Sequence, residues 1–383
     1  MKYVFLLLLF TQVIVYPIKN VIGRYILNDV STSVLIKSRT QHGETNNLKW
    51  NYYSNVLVDV SFPKISTYLD INPHLEFGHF TNHANPRAES ITRLNEASVD
   101  LLLAIGTLSI GDKRLSTEGG RFLSDSGFNL LPRTFGQISF KSAGNMLNIT
   151  YLNSMVAPDS TLRHYYQKGS YVISIRGIDL LLPIMLESHI YAIEDISNTY
   201  SFGTSLTLMN RHQLSSTIAY QTEPSITTQP TQTSSSLFHD AIYQYTFESQ
   251  SFRLGTRFFQ AGKNNTPGFS APYSSGHSWD GYLNIYQAQI KSGFSQHFRS
   301  IFGSFSTLLT PTQAIKLDWY LFRTHSLDQN LGAEVNVSIQ DELIKDGVYW
   351  MYKVGQFIPG DHSNTPSELK MWLDFSIQLG TSN

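Results

Sequence analysis

The feature that most constrains this chain is a two-residue alternation of apolar and polar side chains, sustained over long runs. In HDAIYQYTFES, Ala241, Tyr243, Tyr245 and Phe247 fall on one face and Ile242, Gln244, Thr246 and Glu248 on the other. In AIKLDWYLF, Ile315, Leu317, Trp319 and Leu321 oppose Lys316, Asp318, Tyr320 and Phe322. AEVNVSIQ, VYWMYKVG and KMWLDFSIQL repeat the pattern, setting Val335, Trp350 and Leu373 against Asn336, Lys353 and Asp374. This period belongs to extended strands, whose successive side chains point to opposite faces. The chain is therefore read as all-β, with one apolar face per strand to cover.

Two architectures cover such faces. A soluble sandwich buries them between sheets. A transmembrane barrel turns them to lipid and encloses the polar faces around water. Three features favour the barrel. The strands approach the ~10 residues that cross a bilayer at a tilt. Trp and Tyr recur near strand ends, as an interfacial girdle requires. The second face often carries Arg, Lys, Asp or Glu. Only 15% of residues are charged, against about 25% in ordinary soluble domains. At about 20 residues per strand and connection, a single antiparallel barrel of roughly sixteen to eighteen strands is expected, wide enough for an aqueous channel.

The N-terminal MKYVFLLLLFTQVIVYPIKN has a basic residue, Lys2, before an apolar run from Val4 to Tyr16. That run is short for a spanning helix, which needs about 20 residues. Residues 1–19 are read as a signal peptide and 20–383 as the barrel. The Ser/Thr/Pro-rich TEPSITTQPTQTSSS, Thr222 to Ser236, is read as a long exposed loop. The chain has no cysteine, which removes disulfides, thiolate metal sites and a cysteine nucleophile. A net charge of −1 gives no overall basic field to attract nucleic acid.

RLNEASVDL (Arg93 to Leu101) precedes LSIGDKRLSTEGGRFLSDSGFNLLPRTFGQISF (Leu108 to Phe140). A Leu-Asn strand, a glycine-and-cation strand end, a Gly-Arg loop and an Arg-Thr-Phe strand start follow in that order. GFSAPYSSGHSWDGYLNIY (Gly268 to Tyr286), NLGAEVNVSIQ (Asn330 to Gln340) and VGQFIPGD (Val354 to Asp361) continue the series. Together these resemble the alginate export family of bacterial outer-membrane barrels. The resemblance implies location in the bacterial outer membrane and a lumen lined by cations. It also implies export of an alginate-like polysaccharide, contact with membrane lipid and lipopolysaccharide, and a periplasmic export machinery as partner. The chain departs from the pattern at Gly111-Asp112-Lys113, at Gly136, and at its non-aromatic end, Gly380 to Asn383.

Within that frame Lys113, Arg114, Arg121 and Arg133 are expected at the lumen or its mouth. Arg176 alternates against Tyr171, Ile173 and Ile175, and so faces the lumen. Arg253 and Arg257 share a face opposite Phe252, Leu254, Thr256 and Phe258. Lys316 lies on the polar face of its strand, and Arg323 on the other. Guanidinium groups bind carboxylates bidentately, so a row of such cations can guide an anionic solute. The alternatives are that these cations pair with lumen acids such as Asp112, Glu118, Glu187, Glu248 and Glu334, or that they serve an external loop. Gly119, Gly120 and Gly127 would let the loop between Arg114 and Arg133 turn inward.

Other chemistry is weakly signalled. His74, His79 and His83 cluster around Glu76 in HLEFGHFTNH, but the spacing is no known ligand pattern, and a polar hairpin loop explains it equally well. His277 and Asp280 lack a nucleophile motif. No cofactor, metal or chemical step is expected. The sequence points to a passive channel for anionic solutes. The alternatives are a general porin for small nutrients and a non-conducting structural or adhesive surface barrel.

Overall fold

The computed structural model describes residues 31–43, 49–61, 70–82, 90–117, 122–124, 132–157, 161–177, 184–193, 197–222, 235–260, 268–271, 283, 285–286, 289, 297–324, 329–344 and 347–380. The leader segment 1–19, Arg121, Glu118, His83, His277 and Asp280 lie outside them, as does most of the Ser/Thr/Pro-rich stretch. The strands are β1 Ser31–Gly43, β2 Lys49–Ser61, β3 Asp70–Asn82, β4 Ile91–Leu103, β5 Gly106–Lys113, β6 Thr134–Ser142, β7 Leu147–Val156, β8 Arg163–Arg176 and β9 Ile184–Ile193. They continue as β10 Ser197–Leu208, β11 His212–Thr222, β12 Ser235–Phe247, β13 Gln250–Phe259, β14 Phe298–Leu308, β15 Gln313–Thr324, β16 Asn330–Ile344, β17 Val348–Pro359 and β18 Glu368–Gly380.

Each strand pairs antiparallel with its neighbours in sequence, and β1 also pairs with β18, from Ser33↔Gly380 to Gly43↔Lys370. The eighteen strands thus close on themselves and leave no free edge. Most strands have 10 to 14 residues, enough to cross a bilayer at a tilt. Among the described residues no helix is long and apolar enough to cross a membrane.

The distribution of side chains is inside-out relative to a soluble protein. Phe77, Leu94, Ile138, Ile175, Phe202, Leu214, Leu254, Leu317, Val335 and Leu373 are exposed. Asn55, Glu76, Thr150, Ser170, Asp240, Ser300, Asp318, Glu334 and Asn336 are buried. The faces read from HDAIYQYTFES, AIKLDWYLF, AEVNVSIQ, VYWMYKVG and KMWLDFSIQL are the faces observed. On β15 Asp318, Tyr320 and Phe322 are buried, while Leu317 and Leu321 are exposed.

Two irregularities re-aim side chains. At the β3–β4 register shift an extra residue, Asn95, lies between Leu94 and Glu96. Such a bulge adds one residue to one strand, so Asn95 and Glu96 are both buried although they are consecutive. Gly111 in β5 has φ +126°, and a Cβ there would lie 2.1 Å from the Ala97 carbonyl oxygen. Only glycine fits. The described part of HLEFGHFTNH, His74 to Asn82, is strand rather than hairpin loop: it belongs to β3, with Glu76 on the lumen side and His79 on the outer side. His79 sits 2.6 Å from the Thr92 hydroxyl. Among the described residues no group of three or more His, Asp or Glu is placed to hold a metal ion.

Strand β1 begins, and β18 ends, at the same end of the barrel. The longest connections, 114–133, 223–234 and 260–297, are all at the opposite end. Outer-membrane barrels keep short turns on the periplasmic side and longer loops outside, so the loop end is the outer one.

Candidate functional site

The lumen wall divides into a charged half and an aromatic half. The charged half runs from β17 through β18 and β1 to β5. Asp374 accepts two hydrogen bonds from Arg39, Nε at 2.6 Å and Nη2 at 3.0 Å, and Lys353 Nζ lies 3.4 Å away. Lys37, on the same face of β1, stands in the field of Arg39, Arg114, Glu76 and Asp374. A cavity of about 630 Å³ reaches this group from the periplasmic end and is lined by Lys37, Arg39, Lys353 and Asp374 among others.

One step around the wall, Arg114 bonds Glu76 and lies with Nε 2.9 Å from Glu96. His74 Nε2 is 3.1 Å from Glu96 and 3.3 Å from Asp59. Asn95 Nδ2 donates to Glu76 at 3.0 Å. Lys113 reaches Asp100 at 2.7 and 2.9 Å. Arg163 makes a fork of two 2.6 Å bonds to Asp112. A bidentate pair of this kind fixes both partners in one geometry.

The aromatic half runs from β9 to β17 near the outer end. Two connections fold into it. From 114–133, Phe122 and Leu123 are buried, and Phe122 packs on Tyr191, Phe238 and Phe269 at centroid distances of 5.7, 5.4 and 5.7 Å. From 260–297, Phe269, Leu283 and Tyr286 are buried. Tyr286 contacts Phe298, Phe322 and Phe357, and donates its hydroxyl to the Leu331 carbonyl at 3.1 Å. Burial pushes its phenol up to about 12, with a hydrogen bond to Ser363 acting the other way.

Polar side chains of the wall hold these connections. Gln221 bridges the Ser270 carbonyl at 2.9 Å and the Ser270 N–H at 3.0 Å. Glu334 accepts from the Leu283 N–H at 3.1 Å. Tyr191 meets the Thr117 hydroxyl at 2.9 Å. Apolar side chains are thus removed from water inside the tube, each worth about 1.5–3 kcal/mol when fully buried. These buried side chains narrow the lumen at its outer end.

The expected site residues fall into distinct groups. Arg253 and Arg257 lie on the lumen face of β13, flanking the Phe302 ring at 5.3 and 5.0 Å from its centroid. Phe302 lies across Gly255, where a Cβ would come within 2.5 Å of the ring. Arg257 is 1% exposed and opposite Asp240, so it belongs to the packed wall rather than to the open path. Arg133 is likewise enclosed, 6% exposed, and donates to the Ser124 carbonyl at 2.9 Å. It anchors the inward connection.

Lys113, Arg114, Arg176 and Lys316 are each paired with an acid, the last two with Glu187 at 2.9 Å and Asp318 at 3.0 Å. Of the acids named beforehand, Glu187 and Asp112 take part in ion pairs, Glu334 holds a connection, and Glu248 sits in the β12–β13 turn with φ +48°. Sequence reasoning missed Lys37, Arg39 and Arg93. Lys37 and Arg39 share one parity in VLIKSRT, which was the available signal. Arg93 bonds the carbonyls of Pro132 and Ala157 and so ties the base of the inward connection to β7. Nothing local in sequence marks that role.

No family model matches this chain, and no curated protein does. Among solved structures it is similar to Pseudomonas aeruginosa OccK8 (OprE), with a TM-score of 0.71 and 11% identity over 93% of this chain and 100% of that one. It is similar to P. aeruginosa OpdK crystallised with vanillate (TM-score 0.71, 13% identity, 93% and 100% covered). It is also similar to P. aeruginosa OpdO (TM-score 0.72, 11% identity, 93% and 99% covered). These likenesses concern the fold. With the inside-out wall they define the class: a bacterial outer-membrane β-barrel, located in the bacterial outer membrane. The finer resemblance to alginate exporters finds no support among these matches.

Proposed function

We propose that the chain is a passive outer-membrane channel for small solutes, favouring those that carry a carboxylate. The observation that carries this reading is the charged half-wall open to the periplasmic cavity, where Lys37, Arg39 and Lys353 gather around Asp374. Fixed cations on the wall of a narrow aqueous lumen, bounded by low-dielectric surroundings that focus their field, concentrate anions. Weak, repeated contacts let a solute move on, whereas one tight site would hold it. The P. aeruginosa OpdK structure contains vanillate, an aromatic carboxylate. Here Arg253, partly exposed on the lumen face of β13 and set over the Phe302 ring, offers a guanidinium of matching chemistry.

An alginate-like chain is the less favoured solute, since the inward connections crowd the outer end that a polymer would have to thread. A plugged, non-conducting surface barrel is favoured by one specific observation, the aromatic packing around Phe122, Phe269 and Tyr286.

Planar-bilayer recording separates these readings. The channel is expected to conduct, and current is expected to fall on adding an aromatic carboxylate more than on adding an oligouronate. Neutralising Lys37 and Lys353 together to Gln should move the salt-gradient reversal potential toward cation preference. Absent conductance would establish the plug, and conductance with an unmoved reversal potential would remove the carboxylate preference.

A further inference from the structure

The outward face of β10 to β14 contains a feature that solute passage does not use. Thr204, Ser216, Ala241 and Thr256 are direct cross-strand neighbours and form one row of small side chains. The row toward the periplasmic end is Leu206, Leu214, Tyr243 and Leu254. The row toward the outer end is Phe202, Ile218, His239 and Phe258. Small residues between larger ones leave a trough of about 730 Å³, bounded by Leu206, Leu214, Tyr243, Leu254 and Arg299 among others. The Ser216 hydroxyl donates to the Asp240 carbonyl at 3.2 Å, so its polarity is turned into the wall.

The outer row continues into two cations. Phe258 faces Arg299, and Arg299 faces Arg323 directly across β14 and β15. Arg299 is exposed, and Nε lies 3.4 Å from the Thr256 hydroxyl, which brings the side chain over the mouth of the trough. Cations on a lipid-facing wall are tolerated best near the interface, and this pair is at the outer end of β14 and β15, one residue from the end of each strand. Paired guanidinium groups suit a phosphate, which accepts from both.

We propose that the trough and the Arg299–Arg323 pair form a binding site for a phosphorylated, acylated glycolipid of the outer leaflet. One acyl chain lies along Thr204, Ser216, Ala241 and Thr256, and a headgroup phosphate bridges the two guanidiniums.

The test is native mass spectrometry of the detergent-solubilised barrel titrated with bisphosphorylated lipid A, with dephosphorylated lipid A and inorganic phosphate as comparators. Wild-type protein should retain one lipid A adduct, and R299Q/R323Q should lose it by about tenfold for each guanidinium removed. Ala241→Leu, which fills the trough, should weaken lipid A binding while leaving the heat-modifiable folded band intact. Binding of dephosphorylated lipid A should be weak and the same in wild type and R299Q/R323Q. Equal lipid A retention by wild type and R299Q/R323Q would overturn the proposal, since the double variant keeps the trough and does not depend on Ala241→Leu folding. Equal binding of inorganic phosphate and lipid A would overturn the acyl component. A barrel dimer in place of the lipid adduct, lost in Ala241→Leu, would overturn it in favour of a second copy.

Discussion

Asp374 holds Arg39 by a two-point contact and draws Lys353 to the same carboxylate. Asp374→Asn leaves Arg39, Lys37 and Lys353 without that charge. The expected outcome is a reversal potential displaced toward anion preference, with a stability loss of about 1–3 kcal/mol because a partly buried charge pair is broken. Salt-gradient recording and the temperature at which the folded band disappears measure the two effects separately. Gly255 tests the opposite wall. Gly255→Val would drive a side chain into Phe302, whose ring already occupies that space between Arg253 and Arg257. Overpacking of this kind costs about 1–3 kcal/mol. The variant should melt earlier, and the additional change Phe302→Ala should relieve part of that loss.

The connection 114–133 acts as an element in its own right. Its entrance is tied by Arg93 and Arg133, and its apex inserts Phe122 and Leu123 among Tyr191, Phe238 and Phe269. Replacing Phe122 and Leu123 by Ser removes apolar contacts worth about 3–5 kcal/mol for a large aromatic. The connection should then loosen, with higher single-channel conductance and faster liposome swelling by larger sugars. Unchanged conductance would show that this connection does not limit the path. At this scale the strands were legible in sequence and the connections were not. Alternation is a local property, so Leu317 and Asp318, or Leu373 and Asp374, declare their faces without tertiary information. The same alternation sets Arg253, Arg257, Arg176 and Lys316 on the face that carries the buried polar side chains of their strands. Whether a cation on that wall meets water or a packed loop depends on distant residues, as Ser124 decides for Arg133. The bulge at Asn95 broke the local rule and placed Glu96 inward, beside Arg114.

For the whole molecule, one idea accounts for composition, strand length and closure: lipid meets the apolar row of each strand, and water meets the other row. The β1–β18 seam completes the wall, so the described strands present no open edge to hydrocarbon. Because the chain has no native cysteine, single-cysteine probes report on one position at a time. The most direct measurement is labelling by a water-soluble, membrane-impermeant thiol reagent in liposomes, for cysteines placed singly at 305, 306, 316, 317, 373, 374, 375 and 376. Positions 306, 316, 374 and 376 should label, while 305, 317, 373 and 375 stay unreactive until detergent is added. Equal labelling of both sets, or labelling of the second set alone, would contradict the inside-out wall on which the proposed channel rests.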